Sequence, residues 1–201
     1  MFKKSITIFQ FVISCSVLGI LLNGCELKPK FNNVDITGSN SFSPVFELED
    51  PSHKLRHLDD FKGKVVIVFF GYTQCPDVCP TTLTEMQGVM KLLGEQASKV
   101  QVLFITLDPE RDTAELLENY VPAFDKSFLG LRPQDEKALN DVTTGYKIFF
   151  QKVPGKSPGS YSLDHTAGSY VVDKEGHLRL FVRHNLGEQT LADDLRVLIK
   201  Q

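Results

Sequence analysis

Residues 64–80 read Lys64-Val-Val-Ile-Val-Phe-Phe-Gly-Tyr-Thr-Gln-Cys-Pro-Asp-Val-Cys-Pro80. The stretch opens with an unbroken β-branched and aromatic run, the pattern of a strand buried on both faces. Gly71 begins a turn, and Leu83, Met86, Met90 and Leu93 then recur at helical spacing. That spacing predicts a helix over about 80–93. A strand feeding straight into a helix start puts Cys75 and Cys79 outside the carboxyl end of a strand, where open α/β sheets collect ligands. Helix N-termini carry partial positive charge, which favours thiolate, and thiolate is both the nucleophile and the metal ligand.

The two sulfurs sit one residue further apart than in a C-x-x-C redox pair. Residues at i and i+4 on a helical turn share a face, so they still converge. The wider bite suits a metal held between two thiolates, and it can also close as a disulfide. Pro76 and Pro80 remove backbone donors and stiffen the turn. A purely stabilising bridge is the weaker reading, because so small a loop removes little chain entropy. The remaining cysteines, Cys15 and Cys25, lie in an apolar N-terminal run. A secreted disulfide scaffold would spread more cysteines through the fold.

Outward from this stretch, Ser43–Asp60 alternates weakly around Pro44 and Pro51, which suggests a short hairpin at an edge. Val100–Thr106 repeats the buried-strand pattern. Asp108, Asp112 and Thr113 offer capping residues before a helix marked by Leu117, Tyr120, Val121 and Phe124. Pro133 opens a third helix ending near Gly145, residues 146–151 read as a strand, and 153–160 as a Pro/Gly loop. Strands over 168–173 and 177–183 flank the turn at Gly176, and Leu191, Leu195, Leu198 and Ile199 mark a last amphipathic helix. Strand–helix–strand–helix followed by hairpin–helix is an α/β order with a mixed central sheet covered on both faces. It resembles the three-layer thioredoxin-like fold, with an N-terminal hairpin and an inserted loop before the last hairpin.

The chain has 201 residues, enough for one domain over 42–201 plus an extra N-terminal segment. Its 22 basic and 25 acidic residues leave a net charge of −3, which gives no electrostatic case for nucleic acid. Residues 1–24 read as an export signal or membrane anchor. Lys3 and Lys4 precede a run from Ser5 to Gly24 without a charge, long enough to span a bilayer if it is kept. The two lysines put the N-terminus inside and the domain on the extracytoplasmic, periplasmic side. The run ends Leu22-Asn23-Gly24-Cys25, which resembles the lipobox of bacterial lipoproteins, although Asn23 departs from the small residue usual there. That resemblance implies cleavage before Cys25 and lipid on its sulfur. Residues 25–41 then read as the lipidated Cys and a flexible spacer rich in Lys, Pro, Asn, Gly and Ser.

Two thiolates hold Cu(I), and an added imidazole admits Cu(II). Of five histidines, His53 and His57 fall in the charged hairpin, and His177 and His184 flank a strand, all positions that read as solvated. His165 lies just before a strand at a junction that a thioredoxin-like sheet brings beside the cysteine helix. Three separate motifs then add up: Gly71-Tyr72-Thr73-x-Cys75-Pro76-x-x-Cys79-Pro80, Asp108-Pro109-x-Arg111-Asp112, and Asp164-His165 before a Tyr-Val-Val-Asp173 strand. Together they resemble the Sco (SenC) copper chaperones over residues 42–200. The resemblance implies one copper ion per chain, Cu(I) or Cu(II), on Cys75, Cys79 and His165. It also implies service to the dinuclear copper site of cytochrome c oxidase, with that enzyme's copper-bearing subunit, other copper carriers and thiol reductants as partners.

The same cysteines suit a thiol–disulfide oxidoreductase or, less well, a thiol peroxidase, and fold alone does not separate the three. A third ligand matters to copper and not to disulfide exchange. Asp108 reads as ending a strand, with Arg111 as its ion-pair partner; a place beside the metal is the other reading, for Asp108 and for Asp164. Tyr146, Phe149 and Phe150 read as core, with any exposed part available for docking.

Overall fold

The computed structural model describes residues 29–201. The expectations for residues 1–28, including the anchor, Cys15 and Cys25, lie outside the described residues. Within them no helix is long and apolar enough to cross a membrane.

A six-stranded sheet forms the centre. Its strands are β1 (Val34–Asp35), β4 (Val65–Gly71), β5 (Val100–Thr106), β6 (Leu129–Leu131), β9 (Gly168–Val172) and β10 (Leu178–Arg183), in the order β1-β10-β9-β4-β5-β6. β4 and β5 run parallel from Val65↔Val100 to Gly71↔Thr106, and β6 continues the parallel side. β9 pairs antiparallel with β4 and β10 with β9, which makes the sheet mixed. All seven residues of β4 are buried, as its unbroken apolar run requires.

Among the described residues four α-helices surround the sheet: α1 (Val78–Leu93), α2 (Ala114–Tyr120), α3 (Glu136–Tyr146) and α4 (Glu188–Lys200). Phe69 faces Met86 and Val89 of α1 and Leu191 of α4. Its neighbour Phe70 points to the opposite face, with its ring centre 5.2 Å from that of Tyr146 at the end of α3. Side chains of one strand thus serve two helical layers. The three-layer thioredoxin-like arrangement read from the sequence is the one observed.

Several boundaries differ. α1 begins at Val78, so Cys79 lies in its first turn while Cys75 precedes it. α3 starts at Glu136, where the Asp135 carboxylate accepts from the Ala138 amide. Tyr146 belongs to that helix and not to a strand. The strand expected over 146–151 is instead β7 (Phe150–Pro154), and it pairs antiparallel with β8 (Tyr161–His165) in a separate two-stranded sheet. The inserted loop is therefore a hairpin with its tip over 155–160. The N-terminal hairpin, β2 (Glu47–Glu49) with β3 (Leu55–His57), also stands apart from the central ladder, bridged to Arg132 through Glu49.

The spacer expected over 25–41 is folded from Phe31 onward. Val34 and Asp35 form the edge strand β1 against Phe181 and Leu180 of β10. Asn32 and Asn33 turn their amides onto the Asp194 carboxylate. The polar composition that suggested flexibility supplies buried hydrogen bonds instead.

Candidate metal centre

The site is built at the carboxyl end of β4. Gly71 is required there by space: a Cβ would lie 2.8 Å from Cys79 Sγ and 2.9 Å from the Phe104 ring. The next turn is held by Asp112, fully buried in the connection from β5 to α2, directly before the N-cap Thr113. Its carboxylate accepts from the Thr73 amide at 3.0 Å, the Thr73 hydroxyl at 2.5 Å and the Thr106 hydroxyl at 2.6 Å. Burial raises the Asp112 carboxyl above its ordinary value, against the pull of these donors. Of the capping residues that the sequence offers here, Thr113 caps α2, while Asp112 fixes the cysteine loop.

Cys75 is half-buried and Cys79 fully buried, both with free thiols. The Cys79 amide donates to Cys75 Sγ at 3.4 Å, so the first sulfur satisfies a donor at the start of α1. Burial, chiefly, pushes the Cys79 thiol far up, with Cys75 adding to the effect. Burial thus favours the thiol over the thiolate in the metal-free protein, and a metal bound here would take the proton's place.

His165, at the end of β8, stands opposite Phe150 in the hairpin. Its Nε2 is 3.6 Å from Cys79 Sγ. Its Nδ1 lies 3.0 Å from the Thr166 carbonyl oxygen, which only accepts, so the proton of the neutral ring is assigned to Nδ1 and the Nε2 lone pair faces the sulfur. Burial lowers the imidazole's pKa, which keeps the ring in its ligating form.

The ligand atoms of Cys75, Cys79 and His165 all lie within 4.8 Å of one another. Metal–ligand bonds of roughly 2.0–2.3 Å place two ligands of one ion at most about 4.6 Å apart, so a shift of a few tenths of an ångström brings the triangle to the size one ion spans. Two sulfurs and one imidazole form a donor set for soft or borderline ions. A cleft opens on one side, where Asp77 and Asp164 join Cys75 and His165 in its lining.

The other candidates lie elsewhere. His53, His57 and His177 are exposed beside Glu49, Glu47 and Asp173 respectively. His184, expected to be solvated, is half-buried and shares a 2.9 Å hydrogen bond with Thr82 of α1. Asp164 is exposed at the cleft. Asp108 is buried and ion-paired with Arg111, as the strand-end reading holds. Tyr146 is core and Phe150 half-buried, while Phe149 is 60% exposed.

The SCO1/SenC family profile matches residues 34–200. A SCO2-like protein of Rickettsia conorii is 34% identical over 176 residues, which cover 86% of this chain and 85% of that protein. The copper-bound structure of ScoI from Bradyrhizobium japonicum aligns with a TM-score of 0.71 at 38% identity, covering 78% of this chain and 99% of that one. Copper-bound yeast Sco1 aligns at 0.72 and 31%, covering 80% and 90%.

Proposed function

The chain belongs to the SCO1/SenC family, and from that footing we propose that it is an extracytoplasmic, membrane-tethered copper chaperone. One copper ion, Cu(I) or Cu(II), is its cargo, held by Cys75, Cys79 and His165 for assembly of the dinuclear copper site of cytochrome c oxidase. The observation that carries the reading is the convergence of three ligand atoms within 4.8 Å from two distant parts of the chain.

The residues divide the work. Cys75, open to the cleft, is the sulfur that an incoming partner ligand reaches first. Cys79, buried beneath it, gives up its proton on loading and takes it back on release, so loading releases protons. His165, its ring fixed through Nδ1, offers Nε2 without a change of tautomer. The partners proposed are the copper-bearing oxidase subunit, an upstream copper carrier and a thiol reductant. The tether is the N-terminal segment, through lipid on Cys25 or through a retained span.

The test is metal analysis of the reduced protein after copper addition. One copper per chain is expected, with loss of tight binding in Cys75→Ser and in Cys79→Ser; full stoichiometry in either variant sinks the reading. The tether is tested by fractionation, where the protein should sediment with membranes and Cys25→Ser should block lipid-dependent processing.

A thiol–disulfide oxidoreductase is the second reading, favoured by the reduced pair at a helix start with one sulfur open to the cleft. Oxidation to a Cys75–Cys79 disulfide should abolish copper binding, because it consumes both thiolates. A pair that never forms the intramolecular bridge eliminates this second activity and leaves the chaperone intact.

A further inference from the structure

β8, the strand that carries His165, makes no ladder with the central sheet. Among the described residues it pairs only with β7, so no backbone register against β4 or β9 sets where the imidazole lies relative to the sulfurs. One end is fixed as the chain passes through Thr166 into β9. The other end must be held by side chains. Alternate residues of a strand share a face. Along β8 Leu163 is buried, Tyr161 and His165 are half-buried, and Ser162 and Asp164 are exposed. Tyr161, Leu163 and His165 therefore form the inward face.

Arg111 meets the first of these. Its guanidinium lies 3.6 Å from the centre of the Tyr161 ring, and its Nη1 donates to the Tyr161 carbonyl oxygen at 2.9 Å. Nη1 also donates to the side chain of Gln74 at 3.1 Å, the residue immediately before Cys75. Nε pairs with the Asp108 carboxylate, which accepts the Tyr161 hydroxyl at 2.8 Å and so closes a ring of three residues. The guanidinium further stands 5.8 Å from the centre of the Tyr72 ring, whose edge-on neighbour at 6.0 Å is His165. One side chain thus touches the segment that delivers Cys75 and the strand that delivers His165.

We infer that Arg111 is a positioning residue that pins the β7–β8 hairpin to the cysteine loop and so sets the distance from His165 to the two sulfurs. Its consequence for copper rests on the function proposed above; the pinning itself does not. The fork of the guanidinium is needed, since a lysine ammonium cannot stack on Tyr161 and keep three fixed donors toward Asp108, Gln74 and the carbonyl together. The neighbouring Lys152, whose ammonium also lies over Tyr161, is largely exposed with its partner Glu110 and cannot replace it.

A general structural ion pair would loosen the whole domain, whereas a pin frees one hairpin, and hydrogen exchange separates the two. In the reduced, metal-free full chain, Arg111→Met should speed exchange of the Tyr161–His165 amides about tenfold or more while β4, β5 and β9 stay within about twofold. Arg111→Lys should follow Arg111→Met rather than wild type. After Cu(II) loading, both should show a shifted or weakened thiolate-to-copper absorption and copper loss about tenfold faster, with Cu(I) stoichiometry kept. If Arg111→Met does not fold, Asp108→Asn/Arg111→Met removes the pair without stranding a buried charge and is read the same way. Unchanged β8 exchange, exchange raised equally in all strands, or full rescue by Lys each overturns the inference. A wild-type chain that binds no copper defeats the proposed function and leaves the exchange comparison to decide the pin.

Discussion

At Cys79 burial and the proposed coordination pull in opposite directions. The side chain is fully buried, and its thiol is held well above its ordinary value of 9.0. Unfolded, it ionises near 9.0; folded, it keeps its proton, so the metal-free protein loses stability as pH rises above that value. His165 supplies the acid limb. Its folded pKa is lowered from 6.5, so below pH 6.5 the unfolded chain takes a proton that the folded ring refuses, and stability falls as pH drops. Urea denaturation of the metal-free protein between pH 5 and 10 should show both limbs, the alkaline one reduced in Cys79→Ser and the acid one in His165→Gln. In the proposed site the imidazole should also separate the oxidation states. Losing groups that merely orient ligands typically costs about 10–100-fold in metal affinity, so His165→Ala should weaken Cu(II) by at least about 100-fold. Cu(I), which two thiolates satisfy, should fall much less, and equal losses would place the imidazole outside the site. The cysteines are legible because one short stretch contains both. His165 lies 86 residues beyond Cys79; its place before a strand beside the cysteine helix marks it out weakly, and the family resemblance raises it to a ligand. Asp112 and Arg111 act through contacts that no local spacing encodes.

At the scale of elements, the site depends on a strand, a turn and a helix start packed without slack. Gly71→Ala tests this. The added methyl meets Cys79 Sγ and Phe104 under 3.0 Å, and neither can retreat from a fully packed core. Overpacking of this kind costs about 1–3 kcal/mol. Urea unfolding should show that loss together with reduced copper loading, because the displaced atom is a proposed ligand; wild-type loading would mean that the sulfur does not need its present position. β4, β5, α1 and α4 are legible from period and run length, since each buries a long apolar stripe. The β7–β8 hairpin is not. Pro154, Gly155, Pro158 and Gly159 announce a loop, and the alternation in Tyr161-Ser-Leu-Asp-His165 is only five residues long. β6, with three residues, is too short to show any period.

At the scale of the molecule, the domain is closed by its own N-terminal arm. The Asp194 carboxylate on α4, 1% exposed, accepts four hydrogen bonds, from the backbone and side-chain amides of Asn32 and Asn33. Directly after them β1 adds the outer strand beside β10, so the segment emerging from the proposed tether is locked to the last helix and to the sheet edge at once. Composition hides this, because asparagine and lysine in a row signal solvation unless a buried acceptor awaits them. Asp194→Ala removes the acceptor and leaves the buried Asn33 amides without a partner, at about 1–3 kcal/mol for each unsatisfied group. The expected loss is about 3 kcal/mol in urea unfolding, with faster hydrogen exchange in β1 and the outer residues of β10. Asn33→Ala should cost less alone and add little to Asp194→Ala, since both remove the same bonds. Copper stoichiometry should be unchanged in all three proteins, because the arm and the Cys75–Cys79–His165 triangle share no residue. Additive losses in the double variant would show that Asp194 and Asn33 stabilise the domain independently, and that the arm is not held by this carboxylate.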